Sequence, residues 1–593
     1  MSSRTHSATT SLAYDQSGPG RWILSHVLRY PLLPVAQAAL IVAARVLGTQ
    51  SPIYLGRTLD HILSPGRNLR TLLLLSLAVV GYRFAEAALD VAQLAVGEFL
   101  SRRVQRDARG ELYASLLGKS LSYHSRQRTG DLITRVSDDT RNLNYMLSPG
   151  LRTLYGWLVG LVVPLFAIGT LAPALLAVPM VAVAVLVVSA WQHARRIKPV
   201  ADELRAQLGQ MNAALAETLS GIEVVKASAT EREEKQAFAA RVRRARELQT
   251  RYGALQAAYL PNLVRHGMLA AGFVHGLLLY TQGAITIGSV VAFAGLLSRL
   301  TPPGTGLLGV IVAGLTGAQR ILAVTGEDEE SEADRHGFAA PMRGEVAFED
   351  VGFGYDGAAV LQGITFHARP GETVAIVGPT GSGKSTLTRL INRIYDVDQG
   401  RVLVDGVDVR EWDLASLRSQ ISMIEQDVFL FGQSVRENIA FGGRGPVSPT
   451  QLEQCARDAQ AHEFVTQLPQ EYETLVGERG VRLSGGQRQR IAIARALLGE
   501  PRVLILDDAT SAVDSATEDR IQSAIERVRR GRTTFLITHR LALIRRADHV
   551  LVLRRGRLID QGTHEELIDR CATYRRIFAR AGRSGGTARA EGA

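Results

Sequence analysis

The chain has 593 residues, 46% of them hydrophobic and 21% charged, with a formal net charge of +11. That length predicts more than one domain, and the hydrophobic share excludes a disordered chain. Two cysteines, Cys455 and Cys571, cannot build a disulfide framework and lack metal-ligand spacing.

A mean hydropathy of +0.05 is high for a soluble enzyme and low for a chain made wholly of membrane spans. It therefore averages unlike parts. Residues 1–20 are polar, without a signal-peptide layout, and read as a disordered N-terminus. Arg21 to Arg29 fits either an interfacial amphipathic helix or an extension of a first span. Tyr30 to Gly56 is apolar except for Arg45. Thr71 to Leu100 opens on four leucines but carries Arg83, Glu86, Asp90 and Glu98.

From Thr153 to Ala194 there are 42 residues without a charge, enough for two spans of ~20 residues with a hairpin near Pro173. Two more uncharged runs follow, His266–Ser298 (33 residues) and Leu300–Gln319 (20 residues). With a turn at Gly283–Gly288 they read as spans five and six. Residues 21–325 are thus expected to form a six-span membrane domain. Charges inside spans face a bundle interior or a wet cavity. Arg45, Arg83, Glu86 and Asp90 then form a polar cargo site, or they pair between helices, with Arg83 and Glu86 spaced i,i+3.

Residues 101–152 carry 10 Lys+Arg and residues 195–265 carry 13, while the intervening turns carry almost none. The positive-inside rule places both long loops and both termini in the cytoplasm, in a bacterial plasma membrane. The helical spacing of Leu204, Leu208, Met211, Leu215 and Leu219 carries a span well past the bilayer. The first 325 residues hold a net +15 and the remainder −4. The basic balance is therefore a membrane signal, and nucleic acid is excluded as a partner.

Residues 326–343 read as an acidic linker, 344–580 as an α/β domain and 581–593 as a disordered tail. Thr373–Val377 is a buried strand, followed by Gly378-Pro379-Thr380-Gly381-Ser382-Gly383-Lys384-Ser385 and an apolar helix opening with Thr386. This is a phosphate-binding loop in strand–loop–helix context. Its backbone N–H groups wrap phosphates at a helix N-terminus. Lys384 reaches the β- and γ-phosphates, and the Ser385 hydroxyl ligates Mg²⁺. Val503–Leu506 is a second buried strand, ending in Asp507, an acid of the kind that holds the Mg²⁺ of ATP in such enzymes. Between the two lies Leu483-Ser484-Gly485-Gly486-Gln487.

With those residues in place, the chain resembles the ATP-binding cassette family, specifically an exporter-type half-transporter, from about residue 20 to 580. The resemblance implies a helical six-span membrane domain followed by an α/β P-loop domain with an antiparallel and a helical subdomain. It implies that Tyr355 stacks on adenine, that Gln426 senses Mg²⁺ and that His539 is the switch residue on the γ-phosphate. Leu483–Gln487 is the signature, acting in trans on the ATP of a second half-transporter, and Asp514 lies in the loop crossing that interface. Val476–Gly480 resembles the exporter-specific loop, and Arg128–Asp139 a coupling segment. Two ATP molecules sandwiched between two such domains drive switching of the spans, most simply for export of a lipophilic drug, lipid or peptide. Import on an exporter fold and a nucleotide-gated regulatory subunit are the alternatives.

One position departs from the family. Asp508 stands where the family usually carries glutamate, the general base for the attacking water. Its carboxylate is one methylene shorter, and a displacement of about 1 Å can cost ~100-fold in rate. Either the backbone adjusts and Asp508 still serves, or the site is hydrolysis-impaired and a partner chain supplies the intact one; the departure favours the second.

Overall fold

The computed structural model describes residues 14–66, 68–258, 260–300, 307–327, 330, 337–443, 445–507 and 515–576. Residues 1–13, the tail 581–593, residues 328–329 and 331–336 of the acidic linker, and Asp508 and Asp514 lie outside the described residues. The chain divides into two compact units near Glu327, with the short segment Lys119–Arg126 grouping with the second.

In hydrocarbon no water can satisfy a free N–H or C=O, so an apolar chain crosses only with every backbone bond closed internally. The first unit accordingly consists of long rods. Helix α1 (Pro19–Leu28) is separated by a short turn from α2 (Leu32–Leu63), so it is a helix of its own rather than an extension of the first span. Its inner face buries Trp22, Ile23 and His26. Tyr30, just beyond it, donates from its hydroxyl to Asp107 Oδ2 at 2.6 Å, and Trp22 Nε1 donates to Glu111 Oε2 at 3.2 Å. Both carboxylates lie on α3 (Leu69–Gly118).

Helix α3 has 50 residues and α6 (Ala177–Ser220) has 44. At 1.5 Å per residue they are about 75 and 66 Å long, twice the ~30 Å of a bilayer core. They therefore run on into water, as the leucine spacing after Leu204 predicts. A rod that opens on α4 (Thr129–Thr134) ends in α5 (Arg152–Leu171), and the hairpin to α6 turns at Pro173. Helices α7 (Glu231–Ala257) and α8 (Leu260–Thr281) follow. Among the described residues, five rods are long and apolar enough to cross a membrane. Two shorter apolar helices, α9 (Ile287–Leu297) and α10 (Leu307–Thr325), follow the turn after Thr281.

Two features fix these rods against one another. At the α2–α9 crossing, Gly56 and Gly288 meet backbone to backbone, and a Cβ on either would collide with the carbonyl of the other. Asp60 secures the crossing by accepting from Thr286 Oγ1 at 2.7 Å and Gly288 N at 2.8 Å. Further in, Glu86 of α3 accepts two bonds from Arg299, at 2.5 and 3.0 Å, and one from Arg83 at 3.3 Å. Asp90 accepts from Gln93 at 2.7 Å. Three of the four intramembrane charges singled out from the sequence are therefore satisfied by side chains of the bundle.

The second unit holds two sheets. The antiparallel sheet has the order β2-β1-β4-β5, from β1 (Val346–Tyr355), β2 (Ala358–Ala368), β4 (Gln399–Val404) and β5 (Val407–Asp408). The larger sheet has the order β10-β9-β3-β8-β7-β6. It comprises β3 (Thr373–Val377), β6 (Ile421–Ile424), β7 (Val503–Asp507), β8 (Thr533–Ile537), β9 (His549–Arg554) and β10 (Arg557–Gly562). All neighbours are parallel except β9 and β10. β3, β7 and β8 are buried at every position, as continuous apolar runs under helices require. Phe348, Phe366, Phe535 and Trp412 fill the core shared by the two sheets. A second core, around Ile439, Phe464, Ile491 and Leu504, joins the helices of residues 435–498 to β7.

Candidate nucleotide site

The register of the large sheet assembles the site. Ile376 of β3 pairs with Ile537 of β8, and Ile537 pairs with Asp507 of β7. Ile424 of β6 pairs with Leu506. All four strands therefore end at one edge. Asp507 closes β7, and Gly378, His539 and Gln426 lie just past the ends of β3, β8 and β6. Ligands of open α/β sheets bind beyond the carboxyl ends of the strands, where four chain segments converge here within a few strand spacings of ~4.8 Å.

Each glycine in the loop after β3 has a separate reason. Gly383 is the N-cap of α11 (Lys384–Ile391), at φ 97°, and Gly381 lies at φ 75°. Both are left-handed conformations that penalise a Cβ. Gly378 has ordinary backbone angles, but a Cβ there would collide with Leu553 O and stand 2.7 Å from Ser382 Oγ. Lys384 Nζ donates to the loop's own carbonyls, Gly378 O at 3.0 Å and Pro379 O at 3.2 Å. Ser382 is 3% exposed, and its Oγ makes no hydrogen bond among the described residues. A buried hydroxyl without a partner, a cradle closed to Cβ atoms and a helix N-terminus together suit a phosphate chain. Ser385 and Thr386 open α11, and Thr380 lies on the exposed rim of the loop.

Tyr355 ends β1 beside this helix. Its hydroxyl is 3.3 Å from Thr386 Oγ1, and its ring packs edge-on against Phe353 and Tyr395 at 5.0 and 5.3 Å. Arg389, on α11, links Tyr355 to Glu425. Burial works against the Arg389 charge, but the bond to Tyr355 and the nearby Glu425 outweigh it and raise its pKa above the ordinary value. The motif pattern does not mark Arg389, because the link joins a strand end, a helix and a loop distant in sequence. Gln426 and His539 are exposed, while Asp507 is buried at the end of β7. The carboxylate of Asp507, the hydroxyl of Ser385 and the amide oxygen of Gln426 are oxygen donors of the kind that suits a hard divalent cation.

The segment Leu483–Gln487 is a helix start. Ser484 caps α12 (Gly485–Leu498): its Oγ accepts from Gln487 N at 3.3 Å, and Gln487 Oε1 accepts from Ser484 N at 2.9 Å. This reciprocal box orients the hydroxyl. The N–H groups of Gly485 and Gly486 precede the first helical bond, and without side chains they can approach an anion closely. Leu483 is buried and anchors the turn.

Arg299 escaped the sequence reading as a charge within the bundle. It stands between two uncharged runs and served only as their boundary, although that isolation was the available signal.

Comparison with known proteins agrees with this geometry. Residues 361–511 match the ABC transporter family model, and residues 35–303 match the ABC transporter transmembrane region. An ATP-dependent lipid A-core flippase of Syntrophus aciditrophicus is 34% identical over 561 residues, 92% of either chain. A fatty acid ABC transporter ATP-binding/permease protein of Mycobacterium bovis is 38% identical over 471 residues, 77% of this chain and 73% of that one. The solved structure of a bacterial Atm1-family ABC exporter with ATP bound superposes with a TM-score of 0.79 at 30% identity, covering 92% of this chain and 98% of that one.

Proposed function

The chain belongs to the ABC transporter family as an exporter-type half-transporter with an ATPase domain, and on that premise we propose that it is the slow-hydrolysing half of a lipid-exporting heterodimer. The observation that carries this is the convergence of the loop after β3, Asp507 and His539 at one sheet edge, next to Asp508 in place of glutamate. Lipid cargo is the reading favoured by relatives described as a lipid A-core flippase and a fatty acid transporter.

In this reading Tyr355 stacks on the adenine, the loop Gly378–Ser385 wraps the phosphates, and Lys384 leaves its own carbonyls to reach the β- and γ-oxygens. Ser385, Asp507 and Gln426 would hold a Mg²⁺ ion, which would neutralise charge on those oxygens. His539 contacts the γ-phosphate. Ser484 and the Gly486 N–H complete the site on the partner chain. Asp508 holds the attacking water too far back, so turnover falls mainly to the site built on the partner's loop. The two nucleotides close the dimer only through their greater affinity for the closed state. Rods that extend past the bilayer carry that motion to the spans, with α9 and α10 as the two halves of the sixth.

The test is ATPase activity of the chain purified alone and with its partner. We expect little turnover alone and restoration in the complex. In the complex, Asp508→Asn lowers turnover far less than glutamate→glutamine at the matching partner position. Vigorous turnover by the isolated chain would sink the assignment.

A further inference from the structure

Within the rods, Glu86 uses up both Arg83 and Arg299. Arg45 is different. It lies midway along α2 and makes no ion pair or hydrogen bond with any described residue. Its guanidinium rests against a stripe of α5 that lacks side chains: a Cβ on Gly156 would stand 3.8 Å from Nη2, and one on Gly160 would stand 3.9 Å from Nε. Two turns nearer the start of α2, Gln37 lies beside Gly97 of α3, where a Cβ would collide with its Nε2 and stand 3.7 Å from Arg152 Cδ. Gln37 Nε2 and Arg152 Nε are buried, and neither has a hydrogen-bond partner among the described residues.

These residues lie at two levels along α2 and α5. Gln37 and Arg45 are eight residues apart on α2, and Arg152 and Gly160 are eight apart on α5. Each pair is separated by about 12 Å along its helix, so the lower level is Gln37 with Arg152 and the upper level is Arg45 in the glycine notch. Buried donors without acceptors are costly. Two arginines and an amide without a carboxylate partner among the described residues call for an oxyanion. Planar guanidinium groups suit carboxylate and phosphate alike.

We propose that Gln37, Arg45 and Arg152 bind the headgroup of an anionic amphiphile, a carboxylate or phosphate on an apolar chain, as the exported cargo. This assignment rests on the export reading above and names its cargo class.

The partner complex is reconstituted in phosphatidylcholine vesicles, and ATPase stimulation is titrated with oleate, with lysophosphatidic acid and with uncharged monoolein. Oleate and lysophosphatidic acid are expected to stimulate, and their relative potency distinguishes a carboxylate cargo from a phosphate one. Arg45→Gln and Arg152→Gln each raise the half-stimulating concentration at least tenfold, the effect of losing one charge-assisted hydrogen bond. Arg45→Lys, which keeps the charge but loses the planar fork, raises it less than Arg45→Gln does and guards against misfolding as the cause. Half-stimulating concentrations unchanged in both glutamine variants, or monoolein as potent as the anions, overturn the headgroup site while leaving the export reading intact. Absence of turnover in the complex with every probe overturns both.

Discussion

Replacing Glu86 tests whether the charges of the bundle serve its architecture. The Glu86 and Arg299 side chains are 10% and 16% exposed, and Arg299 meets both carboxylate oxygens. Arg83 is 60% exposed and donates a single bond at 3.3 Å, so it is the weaker partner. Breaking a buried pair by removing one partner costs ~3–5 kcal/mol, because the other charge is left uncompensated. In Glu86→Gln the amide keeps one acceptor, so the expected loss is about 2–3 kcal/mol. The pair also sits over Gly48, where a Cβ would stand 2.5 Å from Arg299 Nη1 and Glu86 Oε1, so neither group can move far in that direction. At about 2 °C per kcal/mol, the thermal midpoint in detergent falls by about 4–6 °C. Glu86→Leu combined with Arg299→Met removes both charges and should recover most of that loss, since a buried pair is often no better than an apolar one. Midpoints followed by size-exclusion of heated samples give the answer. A neutral single variant, or a double variant as unstable as the sum of its singles, refutes the ion-pair reasoning.

Other changes probe separate parts of the molecule. Gly56→Ala should force α2 and α9 apart at their backbone contact and cost ~1–3 kcal/mol in the same heating assay; an unchanged midpoint counts against that crossing. Burial, reinforced by Asp458 and Glu500, pushes the Cys455 thiol up to about 11. Its thiolate fraction at pH 8 is therefore ~0.001, and maleimide labelling mapped by mass spectrometry should rise ~tenfold per pH unit through pH 10; rapid labelling at pH 7 contradicts this. Asp508→Glu should raise the ATPase rate of the isolated chain by ~10–100-fold, and no increase removes the short carboxylate as the cause. Burial raises the pKa of Asp107, but bonds from Tyr30 and Arg106 outweigh it and hold it below the usual carboxylate range. Its contribution to docking α1 is thus present above the unfolded value of ~3.9 and lost as pH falls through the lower folded value. Hydrogen exchange over Pro19–Leu28 should quicken only in strong acid, whereas Asp107→Asn should be fast at neutral pH; a variant as protected as wild type rejects the link.

What could be read from the residues depended on how local the physics was. Uncharged runs announce hydrocarbon directly, so the rods from Tyr30 to Leu297 followed from charge positions alone. The strand–loop–helix order around Lys384 encodes its own geometry, because Gly381 and Gly383 occupy conformations other residues avoid. Pairings across the bundle were not legible. Arg83 and Glu86 could be matched at i,i+3, but Arg299 lies 213 positions from Glu86. The turn that frees α1 from α2 left its two readings open until the backbone was in view. Arg389 carries no motif, and only the fold brings it between Tyr355 and Glu425.

The order of strands in the large sheet has a consequence for synthesis. β3, which carries the phosphate loop, is flanked only by β8 and β9, which begin at Thr533 and His549. The whole first unit and the apolar run Thr373–Val377 leave the ribosome before either neighbour exists. At ~5–20 residues per second, that run waits about ten to thirty seconds with both edges unpaired. A chain stopped ahead of Thr533 should therefore hold its rods in the membrane while its second unit is retained by chaperones. The last strands to emerge decide whether a nucleotide site forms at all.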